Sequence, residues 1–443
     1  MTGGFGSFVR AAHAAGDLVV QPRMGMSDPV EMRRGLLATK RADATTVGTI
    51  TLDSYTRVGD IEAARRALAR GGALNGYPIV NHGSRLTRRI LDGVADPGFP
   101  VQVRHGSAQP EAIFEALVAS GLTATEGGPV SYCLPYSRAP LTRSVASWSR
   151  CCEIFAQLRD QGQEPHLETF GGCMMGQLCP PGLLVALSVL EAVFFREHGL
   201  RSISLSYAQQ TSTEQDEEAL HALARLAGEL LPDVDWHIVL YAYMGVYPRT
   251  EDGALLLLER AARLAARAGA ARIIVKTAAE AHRIPTVEEN VTALELASAA
   301  AADERSRIAA RAPRTPVPAA SADTGVYAEA SLLVRTVLDL APDVGRALVR
   351  AFGQGLIDVP FCLHPDNHGQ SRARVDGDGR LRWTEIGAMP IGGVAEITPG
   401  DRLTSDGLLS ALSHVQRGFD ELALRSAAGP RGALPGRRPV LLP

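Results

Sequence analysis

Lysine is nearly absent from this chain: of 45 cationic residues in 443, only Lys40 and Lys276 are lysines, and the rest are arginines. A lysine that survives this bias marks a place for a compact, strongly hydrated ammonium, against the plainer reading of surface decoration. Neither sign of charge dominates. The formal net charge is −3, so there is no basic field to attract nucleic acid or an anionic membrane, and neither partner is expected. Cysteine is sparse too. Cys133, Cys151, Cys152, Cys173, Cys179 and Cys362 are too few for a disulfide framework, and none are spaced as CxxC, which points to reduced thiols. No apolar run reaches membrane length; the best, Leu183 to Phe195, is short and contains Glu191. Met1 to Arg10 is glycine-rich and polar, unlike a secretion signal, so a cytoplasmic location is expected.

Common catalytic motifs are missing as well: there is no GxxxxGK[ST] loop, HExxH, GxSxG or strand-borne GxGxxG. No metal site is expected. What remains is a large globular chain, 46% hydrophobic, in which short β-branched runs alternate with amphipathic helix-length stretches. Candidate strands are Leu18–Gln21, Thr46–Thr51, Pro78–Asn81, Val101–Arg104, Leu122–Thr125, Leu167–Thr169, Ser202–Tyr207, His237–Tyr241 and Arg272–Lys276. That is one more than a barrel needs. Many end in polar residues, as expected where the carboxyl ends of parallel strands build a site. The fold class is therefore α/β, a (β/α)8 TIM-type barrel with a smaller C-terminal α+β region. Expected boundaries are 1–311 for the barrel, 312–322 for a proline-rich connector, 323–428 for the α+β region and 429–443 for a loosely ordered tail.

Three arginines stand at or just beyond successive strand ends: Arg23, Arg57 and Arg104. A single one would most often pair with a neighbouring loop acid. Three guanidinium forks on one face suit a dicarboxylate or a phosphorylated acid, because each can pair bidentately with a carboxylate. Glu126, followed by Tyr132 and Tyr136, adds a carboxylate that can accept hydrogen bonds from an ammonium. Together these describe an acidic amino acid. For the tyrosines, simple packing is the competing reading.

The strings Val20-Gln21-Pro22-Arg23-Met24-Gly25, Asp53-Ser54-Tyr55-Thr56-Arg57, Leu74-Asn75-Gly76-Tyr77-Pro78, Val103-Arg104-His105-Gly106, Glu126-Gly127-Gly128 with Ser131-Tyr132, Val275-Lys276-Thr277 with Glu280-Ala281, and Asp358-Val359-Pro360-Phe361 resemble, in order and spacing, the large (epsilon) subunit of glutamate mutase, or methylaspartate mutase. The resemblance runs from about Val19 to Gly392. It implies a (β/α)8 barrel that pairs with a small cobalamin-carrying subunit and interconverts L-glutamate with (2S,3S)-3-methylaspartate. The implied cofactor is adenosylcobalamin, whose cobalt–carbon homolysis starts a radical carbon-skeleton rearrangement. Carried over by position, Arg23, Arg57 and Arg104 match the arginines on the substrate carboxylates, Glu126 the acid at the amino group, and Tyr132 and Tyr136 the tyrosines beside the substrate. Gly25, Asn75 and Phe170 match positions near the cofactor. Lys276 and Glu280 match the pair on the adenosyl ribose, and with Glu126 they form the expected catalytic set. The implied assembly is a homodimer of this chain within a heterotetramer.

The chain also departs from the family. Asp366-Asn367-His368-Gly369 comes near the DxHxxG of cobalamin carriers but brings its glycine too early and is expected to be a loop. Little chain precedes the first strand, where the family has a helical arm. Cys173 and Cys179 fall near a site where a thiol could donate hydrogen, although packing is their commoner role. Three alternatives stay open: a mutase acting on a glutamate analogue, a barrel lyase or aldolase with Lys276 as a Schiff-base amine, and a non-catalytic binding partner.

Overall fold

A computed structural model of the protein describes residues 4–174, 178–311, 325–398 and 404–428. The expected connector 312–322 and tail 429–443 lie outside the described residues. Eight parallel strands make one sheet: β1 (Val19–Gln21), β2 (Gly48–Thr51), β3 (Val101–Arg104), β4 (Ala124–Gly127), β5 (His166–Thr169), β6 (Ser202–Ala208), β7 (Asp235–Tyr241) and β8 (Arg272–Ile274). From β2 to β8 each pairs with the next in sequence, β8 pairs with β1 at Val20↔Ile273, and an isolated parallel bridge Val20↔Thr46 closes the circle beside β2. This is the expected (β/α)8 barrel. The intervening helices carry ordinary signals. Pro29–Arg41, for example, is capped by Asp28, whose carboxylate accepts from the Val30 and Glu31 amides, with proline in the first turn.

One expected strand is not a strand. At Pro78–Asn81 the chain touches the barrel only through the bridge Leu52↔Tyr77, and a helix, Ile79–Leu91, begins directly after Pro78. Proline has no N–H to extend the ladder, so pairing stops at Tyr77. The amino end is also more ordered than its glycine content suggests. Phe5–Ala14 is a helix whose Phe5 and Val9 pack with Val19, Val47, Ala124 and Ala271, all at or beside the amino-terminal starts of strands. It plugs the barrel floor.

After the Val287–Arg311 helix, the C-terminal region has helices Val326–Leu338 and Val344–Gly353, then an antiparallel pair, β9 (Ser371–Val375) and β10 (Leu381–Ile386). Its apolar residues, Leu333, Val337, Leu348 and Trp383 among them, join the same buried cluster as the barrel helices. The segment 366–369 is a loop, as expected. Just before it, the Asp358 carboxylate accepts from the amides of Gly369, Gln370 and Ser371, which explains an acid at the head of Asp358-Val359-Pro360-Phe361. Among the described residues all six cysteines are free and buried, and no helix is long and apolar enough to cross a membrane.

Candidate active site

The carboxyl ends of the strands gather the expected residues into two adjoining groups. Glu126, the third residue of β4, is 2% exposed, and its Oε2 accepts from Arg104 Nε at 2.8 Å. Tyr132 donates to Glu126 Oε1, and Tyr241 donates to Oε2 at 2.6 Å. Three donors on two oxygens leave acceptor capacity on Oε1. Arg104 spends only Nε here; among the described residues its two Nη atoms make no hydrogen bond. Phe170 packs on Tyr132 with ring centroids 5.0 Å apart, and Tyr136 stands edge-on to Tyr132 at 6.0 Å. Tyr136 is 43% exposed at the mouth; desolvation raises its pKa, and the charges of Arg23 and Arg57 oppose part of the rise. His105, whose pKa burial lowers to about 3, is a neutral ring between Tyr132 and Trp148.

Arg57 ends the short helix Ser54–Arg57, whose cap is Asp53. Its side chain runs over Gly106, where a Cβ would lie 2.8 Å from Arg57 Cδ. Larger residues at 106 would push this arginine out of the mouth. Among the described residues the Arg57 side chain has no hydrogen bond or ion pair; its amide donates to the Asp53 carbonyl at 3.1 Å. Asn75 supports the same turn, its Oδ1 accepting from the Ser54 amide at 3.0 Å. Gly25 lets the β1 loop lie on β2: a Cβ there would fall 2.2 Å from the Thr51 carbonyl oxygen.

The second group lies beyond β8. Lys276 is 6% exposed, with Nζ 4.2 Å from the centre of the Tyr247 ring, and burial lowers its pKa to about 8 against the opposing pull of Glu280. Glu280 accepts from the Thr277 amide at 3.1 Å and pairs with Arg23 at 3.3 Å, joining the ends of β8 and β1. Lys276, Glu280, Tyr247 and Gln416 line a cleft of about 490 Å³. Phe170 does not line this cleft; it belongs to the wall around Glu126. A larger cleft of about 660 Å³ opens at the opposite end of the barrel, and none of the expected site residues lines it.

Beneath Glu126 lies a network that the sequence reading did not assign to the site. Tyr241 also donates to Glu168, and Glu168 pairs with Arg272, both with side chains 0% exposed. Arg272 donates in turn to Gln21, which reaches Gln102 at 2.8 Å and Thr49 at 2.9 Å. The available signal was a charged residue within a short barrel strand, Glu168 in β5 and Arg272 opening β8. Such residues must find partners inside the barrel.

A closed parallel barrel whose mouth sets arginine forks around a buried carboxylate defines an α/β-barrel enzyme. The model of the methylaspartate mutase E chain matches residues 2–406. Relatives named glutamate mutase epsilon subunit include those of Yersinia enterocolitica, 31% identical over 404 residues covering 87% of this chain and 81% of that one, and Escherichia coli O157:H7, 30% identical over 396 residues covering 86% and 79%. That of Halobacterium salinarum is 31% identical over 404 residues, covering 87% and 80%. The chain belongs to the methylaspartate mutase E chain family, and it is an isomerase of the mutase type. That membership displaces the lyase and non-catalytic readings.

Proposed function

We propose that this chain is the substrate-holding subunit of an adenosylcobalamin-dependent mutase that interconverts L-glutamate and (2S,3S)-3-methylaspartate. The observation that carries the reading is the pairing of unspent guanidinium forks, on Arg57 and Arg104, with a carboxylate that retains acceptor capacity, Glu126. Two carboxylates and one ammonium in a single ligand match this donor and acceptor set. Arg57 and the Nη atoms of Arg104 take the carboxylates, Arg23 completes the clamp from the β1 side, and Glu126 Oε1 receives the ammonium. Tyr132 and Tyr136 close the wall over the carbon skeleton and exclude water. Cys173 is 1% exposed, consistent with a packing role.

The Lys276 cleft fits a ribose. Nζ makes no hydrogen bond to the described residues, and the Glu280 carboxylate lies alongside, a donor and an acceptor for two neighbouring hydroxyls. Lys276 and Glu280 would hold the adenosyl group there; the cofactor, when bound, supplies reversible hydrogen-atom abstraction from the substrate. Because Arg23 contacts Glu280, the ribose side and the substrate side share one ion pair. Gly25 and Asn75 serve this arrangement by fixing the loops that carry Arg23 and Arg57.

The cobalamin comes on a separate small subunit, and a homodimer of this chain within a heterotetramer is part of the same proposal. Val30, Tyr55, Val58, Val246 and Ile284 are exposed apolar residues following the carboxyl ends of β1, β2, β7 and β8, an apolar rim suited to covering. Proton NMR of L-glutamate with this protein, adenosylcobalamin and a competent small subunit tests the proposal. The methyl doublet of 3-methylaspartate should grow. Cobalt–carbon cleavage without the doublet would reject glutamate in favour of an analogue, and neither signal with a bound partner would reject the reaction.

A further inference from the structure

The helix Pro181–Glu197 is buried along its whole stretch from Pro181 to Phe195, and the single charged residue in that stretch is Glu191, 0% exposed. A lone carboxylate in such a place must be satisfied by hydrogen bonds. It is met by five. Oε1 accepts from the amides of Val130 at 3.3 Å and Ser131 at 2.9 Å. Oε2 accepts from Ser131 Oγ at 3.0 Å and from the amides of Phe170 at 3.2 Å and Gly171 at 2.8 Å. One oxygen therefore serves the loop after β4, and the other ties the loop after β5 to it. Gly128 is compressed against the same carboxylate, where a Cβ would lie 2.0 Å from Oε1.

These loops carry the site wall. Ser131 precedes Tyr132, which donates to Glu126, and Phe170 packs on both Tyr132 and Tyr241. We propose that Glu191 is a positioning residue for the reaction: from outside the pocket it clamps the β4 and β5 loops together and so sets Tyr132 and Phe170 around Glu126. The proposal rests on the mutase reading for its catalytic consequence, and on the hydrogen-bond geometry alone for the clamp. All five hydrogen bonds to Glu191 come from these two loops, so it acts through them.

Glu191→Gln separates the two roles. Glutamine offers one acceptor oxygen, so one loop must face an amide NH2. Hydrogen exchange by mass spectrometry should speed up in segments 128–134 and 170–174, by about tenfold or more, with the barrel strands unchanged. In the assembled enzyme the KM for L-glutamate should rise by about tenfold with kcat changed much less. Glu191→Asp, which keeps both oxygens, should recover part of each effect. Ser131→Ala removes one donor to Glu191 and leaves both carboxylate oxygens in place, so it gives a smaller acceleration in the same segments even if Glu191→Gln fails to fold. Unchanged exchange in both loops, acceleration spread evenly over the barrel, or looser loops with an unchanged KM would each overturn the proposal. Absence of turnover in the unsubstituted enzyme counts against the mutase reading alone, and the exchange result still decides the clamp.

Discussion

At the floor of the barrel polar groups are closed in, whereas at its mouth they are left with capacity to spare. Phe5 stacks on His166 at 5.0 Å, Arg272 lies over Phe5 at 5.1 Å, and the Glu168 carboxylate collects Arg272, Gln102, Ser204 and Tyr241. At the mouth, among the described residues, the Arg57 side chain makes no hydrogen bond or ion pair, Arg104 keeps its Nη atoms, and Lys276 Nζ makes no hydrogen bond, with the Tyr247 ring beneath it and the Glu280 charge nearby. Both regions are rich in arginine and carboxylate. The difference is how the charged groups are spent. At the floor both Nη atoms of Arg272 are committed to Gln21, Glu168 and Ser204, although its Nε has no partner among the described residues. This pairing holds the barrel together, whereas unspent donors at a strand end are binding capacity.

That contrast breaks first at Arg272. Arg272→Ala leaves Glu168 charged and buried without its partner, and should cost about 3–5 kcal/mol of folding stability in urea unfolding. Arg57→Ala should do the reverse. Losing a bidentate carboxylate contact should reduce kcat/KM for L-glutamate by about 30- to 150-fold, while the unfolding free energy from urea titration stays within about 0.5 kcal/mol of the parent. A large stability loss at Arg57 would mean that the mouth is also structural.

The floor should also titrate. His166 and His237 stack at 5.2 Å, and burial first, with the Arg272 charge adding to it, lowers both pKa values well below 6.5. Folded imidazoles stay neutral where unfolded ones take a proton. Stability is therefore fully present above pH 6.5 and falls as pH drops below it, by about 1.4 kcal/mol per pH unit for each histidine. His237→Phe should remove one histidine's share of that slope, about 1.4 kcal/mol per pH unit, measured by unfolding between pH 6.5 and 5. The smallest effect is at Asn75. Asn75→Ala removes one acceptor from the turn carrying Arg57, and should raise KM about fivefold with little change in the midpoint.

How much of this was legible follows from where each signal resides. Strands and helices showed through because a parallel barrel repeats one local pattern, and Arg23, Arg57, Arg104 and Glu126 showed through because strand ends in such a fold converge. Pro78–Asn81 misled because an apolar run reads alike in a strand or at a helix start, and the deciding fact is that proline ends the ladder one residue after Tyr77. The floor helix was hidden by its glycines, since its stability comes from Phe5 and Val9 packing on strand starts far along the chain. Glu168 and Arg272 bear on the site through Tyr241, which also donates to Glu126, a relation that exists only after the barrel closes. Glu191 was visible as a break in an apolar run, but its five donors come from two loops distant in sequence.

The most direct measurement is paired: turnover of L-glutamate and urea unfolding, both on the unsubstituted enzyme and on Arg57→Ala, assembled with the small subunit and adenosylcobalamin for the turnover arm. If the mouth is binding capacity and the floor is structure, turnover collapses in Arg57→Ala while the unfolding curves superimpose. Retained turnover, or turnover and stability lost together, would contradict that division and with it the assignment of the arginine mouth to the substrate.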